Sequence, residues 1–499
     1  MNRRDFLAAT AVTTAFAASP VSATAPVDDA ALRALLDSLD SLPTPAAKLK
    51  RLSAARFGPL SPGARLDQEA AREGLAIDAR IAEIMPFGRL GRSPYSVTSV
   101  SGAWRELDKP DAADRIAADT ARLRAEAKAG IILPREALAR TIAAITKAAS
   151  TATTPAAAAL TEQAAMLTAL QPRAPEPGMW RLPNGAEYFD LLIDRQFGGP
   201  RAADAHKMLT AKASDYGARA RELLAKLGYR EGSIGDRFKA AFRDPAYLYS
   251  DDDAGRDRAV ADMNRWLDRA KARVPALIGP VPAECLNVAA RRMTPAEQAA
   301  KKGGYRVLPT IDDKPGSYFV DLSDIRRRPS WTLPSVVHHE LIPGHMIQMP
   351  IEAEAKPHPL RFDYCSAYQE GWAIHAEQMM AESGAYADDD RAELGFLHWM
   401  LFRIGRAIID TGVHYGRWSI SEVLGTLGTM QGEPAFFATF AQDVERTCLE
   451  PGTRVGEAMA WLGLSDACSR GSAMQQQRAT SALLRNGRMR HRSIESNIA

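Results

Sequence analysis

The sequence predicts a mainly α-helical protein, a multi-helix body carrying one small β-sheet or hairpin. Two observations predict it. Over most of its length the chain is rich in Ala, Leu, Arg and Glu, with apolar residues at helical spacing, as in ALRALLDSLDSL and AADRIAADTARLRAEAKAG. One stretch, residues 303–324, departs from that pattern. It carries two β-branched or aromatic runs, around Tyr305–Leu308 and Ser317–Leu322, separated by the turn-like DDKPG. The 499 residues are 46% hydrophobic and 25% charged, which excludes a disordered, collagenous or multi-span membrane chain. A net charge of +3 gives no electrostatic footprint for nucleic acid.

The elements follow in order. Residues 1–25 join a basic head (Arg3, Arg4), an apolar run and small residues before a cleavage point after Ala23 or Ala25, as an export signal does. Arg-Arg-Asp-Phe-Leu gives it a twin-arginine character, a route for cargo that is already folded. Nothing later is long and apolar enough to insert in a membrane, so a periplasmic or secreted protein is expected. Residues 26–170 form an N-terminal helical region. Residues 171–187, with four prolines and two glycines, read as a linker or long loop. Residues 188–464 return to helical patterning around the small β element. The tail, 465–499, is polar and Arg-rich with little core pattern and is expected to be poorly ordered. Four scattered cysteines form no CxxC pair and no disulfide scaffold.

Seven of the nine histidines lie between His338 and His414. At their centre is His338-His339-Glu340-Leu341-Ile342-Pro343-Gly344-His345. A His-Glu pair followed by another His suggests zinc with a glutamate general base, but the histidines of HExxH are four apart and share a helical face. His339 and His345 are six apart, which on an unbroken helix puts them about 240° around the axis from each other. His338 and His345 would share a face but sit ~10 Å apart along it, too far for one ion. The geometry works only if the helix is interrupted, and Pro343-Gly344 is the pair that interrupts one. The pattern therefore predicts a helix from about Leu333 to Ile342, capped by Thr332, then a break and a new turn returning His345 to His339. Glu370, within Glu370-Gly371-Trp372-Ala373, is the third candidate ligand, and its apolar neighbours predict a buried setting. Glu377, seven residues on, lies on the same helical face and could accept a hydrogen bond from a ligand histidine. His414 or Tyr415 could donate to a developing oxyanion. His358 and His398 read as structural, and Cys365 lacks any oriented nucleophile signature.

Six islands in order, LPNGAEYFDLLID (182–194), PGSYFVDLSD (315–324), HHELIPGH, QEGWAIHAE (369–377), DTGVHYGRWS (410–419) and DVERTCLEPG (443–452), resemble the bacterial family of domain of unknown function 885 (DUF885). The resemblance covers Leu182 to about Gly463. It implies a predominantly helical fold similar to the helical zinc peptidases of the thermolysin-like superfamily, with a cleft beside a short strand. It also implies that His339, Glu340, His345 and Glu370 match the family's HExxPGH and EGWA residues. The chain departs from the pattern where many members carry tyrosine: Thr447 follows Arg446, and Glu457 fills the later position.

The function expected on this basis is zinc-dependent hydrolysis by an exported metallopeptidase. One zinc ion would sit on His339, His345 and Glu370, with Glu340 as general base, His414 as oxyanion donor and the edge of the Ser317–Leu322 strand aligning an extended peptide. Two other readings stand beside it. One is hydrolysis of a non-peptide amide or ester by the same site. The other is a non-catalytic periplasmic binding or scaffold protein, which the missing tyrosines and the unusual tail favour.

Overall fold

The computed structural model describes residues 28–498 apart from 153, 301–302 and 311–313. The export segment lies outside the described residues, as does part of the DDKPG turn. The chain is mainly helical with one small sheet, as its patterning predicts. No helix among the described residues is long and apolar enough to cross a membrane.

The helix Asp390–His414 runs through the middle of the fold. From Leu394 to His414 every residue except Arg403 is buried, so this helix is apolar on all sides and belongs inside. Asp389 starts it, accepting hydrogen bonds from the Arg391 and Ala392 N–H groups at 3.1 and 3.0 Å. Helices Ala202–Lys226, Ile420–Gln431 and Thr453–Cys468 pack around it. Near its far end the buried Asp410 carboxylate accepts from the N–H groups of Gly452, Arg454 and Val455 at 3.0–3.2 Å. A side chain of one helix thus satisfies the orphan donors that open another. The Pro- and Gly-rich stretch is a loop with two short 3-10 turns up to Asn184, three residues shorter than expected because the helix Gly185–Phe197 begins there, and it packs closely: Met179 and Leu182 are buried.

Three strands form the sheet: β1 (Val288–Arg292), β2 (Tyr305–Val307) and β3 (Gly316–Val320), in the order β1-β3-β2. β2 and β3 are the antiparallel pair that the two β-rich runs predict. β1 pairs parallel to β3 on its other side, and its sequence, VAARR, carries no such signal. β3 is therefore the central strand, paired along both edges. The expectation that the Ser317–Leu322 run offers an edge to a peptide is corrected: that position belongs to β2, where Val307 is 47% exposed. Pairing sets Arg306 opposite Tyr318 and so on one face of the sheet, with Tyr305 stacked on Phe319 on the other at 4.7 Å between centroids.

The tail is not loose. Helix Ala473–Asn486 and a final short helix, Ile494–Ile498, pack against the body, burying Leu483, Leu484, Met489 and Ile494. Its arginines are what fasten it. Arg488 grips Glu352 through Nε and Nη2 at 2.8 and 2.7 Å, while Arg490 reaches Glu73 and Asp194 at 3.1 and 2.8 Å. Burial pushes the Glu352 carboxyl up, but Arg488 outweighs it and holds the group below its ordinary value. The stabilisation is therefore fully present above the unfolded-state pKa of ~4.3 and lost as pH falls through the lower folded-state value. Arg488→Met, which leaves the Glu352 carboxylate buried and unpaired, is expected to cost about 3–5 kcal/mol at neutral pH, read by denaturant unfolding, with the deficit shrinking in acid.

Candidate functional site

Helix Leu333–Glu340 stops two residues before the predicted end, at Leu341, and a new helix, His345–Glu354, begins after Gly344. Thr332 does not cap the first helix: it sits in a 3-10 turn and its hydroxyl donates to the Pro329 carbonyl at 2.7 Å. The break is tight. A Cβ on Gly344 would lie 1.9 Å from the His339 carbonyl oxygen and 2.5 Å from that of His338, so only glycine lets the chain double back here. Trp372 Nε1 donates to the Pro343 carbonyl at 3.1 Å, tying the break to the helix Tyr368–Glu382 that carries Glu370. That helix in turn approaches helix Thr453–Cys468 so closely that a Cβ on Gly371 would sit 2.4 Å from the Ala460 Cβ.

The interruption returns His345 to His339, with ring centroids 4.9 Å apart. His339 Nε2 lies 3.4 Å from one Glu370 oxygen and His345 Nε2 lies 3.6 Å from the other. One ligand atom from each residue falls within 4.8 Å of the others. Two ligands at tetrahedral angles, each ~2.1 Å from a shared ion, are separated by roughly 3.4 Å, so the two His–Glu separations fit such an ion. Glu370 is the open member, its side chain 40% exposed, rather than buried as its apolar neighbours suggest. His345 is wholly buried, and neither ring nitrogen has a hydrogen-bond partner among the described residues. A buried imidazole without partners is costly, and this one aims Nε2 at the gap. Burial, with the nearby Arg306 charge, holds it neutral, far below the ordinary histidine value.

Behind His339, Glu377 is fully buried and its Oε1 meets His339 Nδ1 at 2.9 Å. Glu370 and Glu377 thus address opposite nitrogens of one imidazole, as their spacing on one helical face allows. Ser335 donates to Glu377 Oε2, and Arg403 donates to Oε1 from Nε and Nη2 at 2.9 and 2.6 Å. Burial disfavours the His339 charge, but its bonds to the two carboxylates override this and lift its pKa to about 9. Glu377→Ala removes the acceptor and leaves Arg403 without its partner. It is expected to cost about 3–5 kcal/mol in thermal unfolding and to weaken divalent-ion binding about 10–100-fold in a chelator competition.

Glu340 ends the helix directly after His339, and Arg306 of strand β2 donates to its Oε2. His414 is elsewhere. It lies 11 residues beyond Arg403 on the same helix, about 16 Å along the axis. Both its nitrogens are engaged: Nδ1 accepts the Met179 N–H at 3.2 Å and Nε2–H donates to the Thr447 carbonyl at 2.9 Å. Burial lowers its pKa to about 4, so it is a neutral tie between loop and helix and is corrected as an oxyanion donor. At the two positions where the family pattern has tyrosine, Thr447 supplies that carbonyl and Glu457 pairs with Arg454 at 2.7 Å. Cys365 is buried, which pushes its thiol up to about 11. Sequence reasoning missed Arg306, Arg403 and Ser335. Arg403 carried a signal, as a charge inside the apolar run HWMLFRIGRAIID, whereas nothing in the run Tyr305–Leu308 singled out Arg306.

The family model described as a bacterial protein of unknown function, DUF885, matches residues 46–489. The chain belongs to the DUF885 family. The match extends well before Leu182, where the recognisable islands begin, so the N-terminal helices are part of the family body. Two solved structures are similar to this chain in fold. One, described as a putative lipoprotein from Colwellia psychrerythraea, is 21% identical with a TM-score of 0.72, covering 95% of this chain and 91% of that one. The other, described as a putative lipoprotein of unknown function from Shewanella oneidensis, is 15% identical with a TM-score of 0.67, covering 94% and 92%. No curated protein matches the chain.

Proposed function

We infer that this DUF885 protein is an exported zinc-dependent hydrolase whose substrate is a peptide. The observation that carries the reading is the buried, partnerless His345, converging with His339 and Glu370 on one point while Glu377 orients His339 from behind. Two histidines and a carboxylate, with a fourth direction left open, are the donor set of catalytic zinc sites. The hydrogen bond from the far nitrogen of a ligand histidine to a carboxylate is their usual support. A zinc ion bound there would supply Lewis acidity, polarising a carbonyl oxygen and lowering the pKa of a coordinated water toward ~7.

The chain's own residues do the rest. Glu340, adjacent in sequence to His339 and bonded to Arg306, accepts the proton of the attacking water and passes it to the leaving nitrogen. The open edge of β2 lies on the same side, since Arg306 from that strand reaches Glu340, and it can take an extended peptide by backbone hydrogen bonds. That edge favours a peptide over a compact amide or ester. The similarity to helical zinc peptidases noted from the sequence belongs to this proposal, as does export, which the first 25 residues and the description of the two neighbours as putative lipoproteins support. Incubating the zinc-loaded mature protein with a mixed peptide library and identifying products by mass spectrometry tests the reading. Cleavage with side-chain or length preference is the expected result. Turnover confined to small amides or esters would contradict the peptide assignment, and no turnover on either would remove the hydrolase.

A further inference from the structure

Resting on that reading, we propose that Arg306 is the residue that stabilises the oxyanion, the role for which the sequence nominated His414. A hydrolase that adds water to a carbonyl needs positive charge or donors where the carbonyl oxygen becomes negative. His414 is about 16 Å away along its helix with both nitrogens engaged, and Thr447 and Glu457 stand where the family pattern has tyrosines. Other arginines of the region face acidic partners. Arg403 is held behind His339 by Glu377, Arg454 is bound to both oxygens of Glu457, and Arg406 faces Asp443 at 3.4 Å. The charge of buried Arg328 also acts on Glu340, but its Nη1 is bound to the Asp321 carbonyl, and Arg306 is the arginine that hydrogen-bonds Glu340. It contacts Glu340 and influences Glu370 and His345 through its charge.

Its setting suits the role. Arg306 projects from the edge strand, on the sheet face it shares with buried Tyr318, and its side chain is only 25% exposed, so its charge acts in a poorly solvated place. One donor, Nη1, holds Glu340 Oε2, and the guanidinium makes no other hydrogen bond among the described residues. An arginine has five donors in a fixed fork, so Arg306 can release or share Glu340 and turn its remaining N–H groups to a carbonyl seated between β2 and His345. As the water oxygen bonds to the carbonyl carbon, the π pair moves onto oxygen beside Arg306 and the water's proton goes to Glu340. The C–N bond then breaks with its pair on nitrogen, which takes the proton from Glu340, and the C=O bond re-forms. Nothing is oxidised or reduced.

The test uses the full mature protein loaded with zinc, in wild-type, Arg306→Met and Arg306→Lys forms. Inorganic phosphate, a tetrahedral oxyanion, is the probe, titrated by calorimetry after zinc content is measured. The expected result is equal zinc in all three, phosphate affinity at least about 10-fold weaker in Arg306→Met, and partial recovery in Arg306→Lys. On any peptide the library assay identifies, Arg306→Met should lower kcat about 10²–10³-fold with KM little changed, as removal of one oxyanion donor does elsewhere. Normal zinc with phosphate affinity unchanged by Arg306→Met, or not measurable in wild type, overturns this proposal and leaves the zinc site standing. A raised KM confined to peptides with a free C-terminal carboxylate, with kcat intact, also overturns it, because Arg306 would then anchor the substrate's end. Absence of zinc from the wild type overturns the underlying reading and this proposal with it.

Discussion

Replacing Glu340 by Gln is expected to leave zinc binding intact and to lower hydrolysis by several orders of magnitude. Glu340 contributes no atom to the cluster of His339, His345 and Glu370. The amide keeps the size of the side chain and can still accept a hydrogen bond from Arg306 through its oxygen, so the fold around it has little reason to change. What disappears is the ability to take a proton from water and return it to the leaving nitrogen. General acid–base groups are worth about 10²–10⁴-fold, and a group that serves both halves of a reaction stands at the upper end or beyond it. The check is kcat/KM on a peptide from the library assay, with zinc content measured on the same sample. Full activity in the variant would exclude Glu340 as the base. Loss of zinc together with activity would mean that Glu340 supports the cluster rather than the chemistry.

His345→Leu should separate stability from function. In the metal-free protein both His345 nitrogens are buried without partners among the described residues, and leaving such groups unsatisfied costs about 1–3 kcal/mol. A leucine removes that penalty and fills similar space, so the metal-free variant should unfold at the same temperature as wild type or higher. Adding zinc should then stabilise only the wild type. A ligand at 1,000 times its Kd adds about 4 kcal/mol, which for a chain of this size is a shift of a few degrees in Tm. The result is read from thermal scans with and without zinc. Destabilisation of the metal-free variant would indicate that His345 makes a structural contact, and zinc stabilisation retained in the variant would place the ion elsewhere.

Much of this architecture was legible in the sequence, and the parts that were not share a cause. Helical periodicity is local, so the helices announce themselves. The interruption at Pro343-Gly344 is local too, and helix geometry required that His345 could join His339 only through it. Glu370 and Glu377 could be put on one helical face by counting residues. Pairings between distant segments could not. The tail reads as solvated because its arginines look unpaired, yet Arg488 meets Glu352 and Arg490 meets Glu73 and Asp194, partners more than a hundred residues away. β1 is a strand only because β3 lies beside it, for VAARR has no alternation of its own. Its presence also covers the side of β3 that would otherwise be free, leaving β1 and β2 as the edge strands, and β2 carries Arg306. His414 failed for the same reason in reverse: its place in a helix-terminal His-Tyr pair suggested availability, while the groups that occupy it, Met179 and Thr447, are far off in the chain.

The most direct measurement is the metal stoichiometry of the purified mature protein by elemental mass spectrometry, with His345→Ala prepared in parallel. About one zinc per wild-type chain, absent from the variant, is the expected result, and it would place the ion on the broken-helix cluster. No bound metal in the wild type after zinc is added and the excess removed, or equal zinc in both proteins, would contradict the proposed site and the hydrolase built on it.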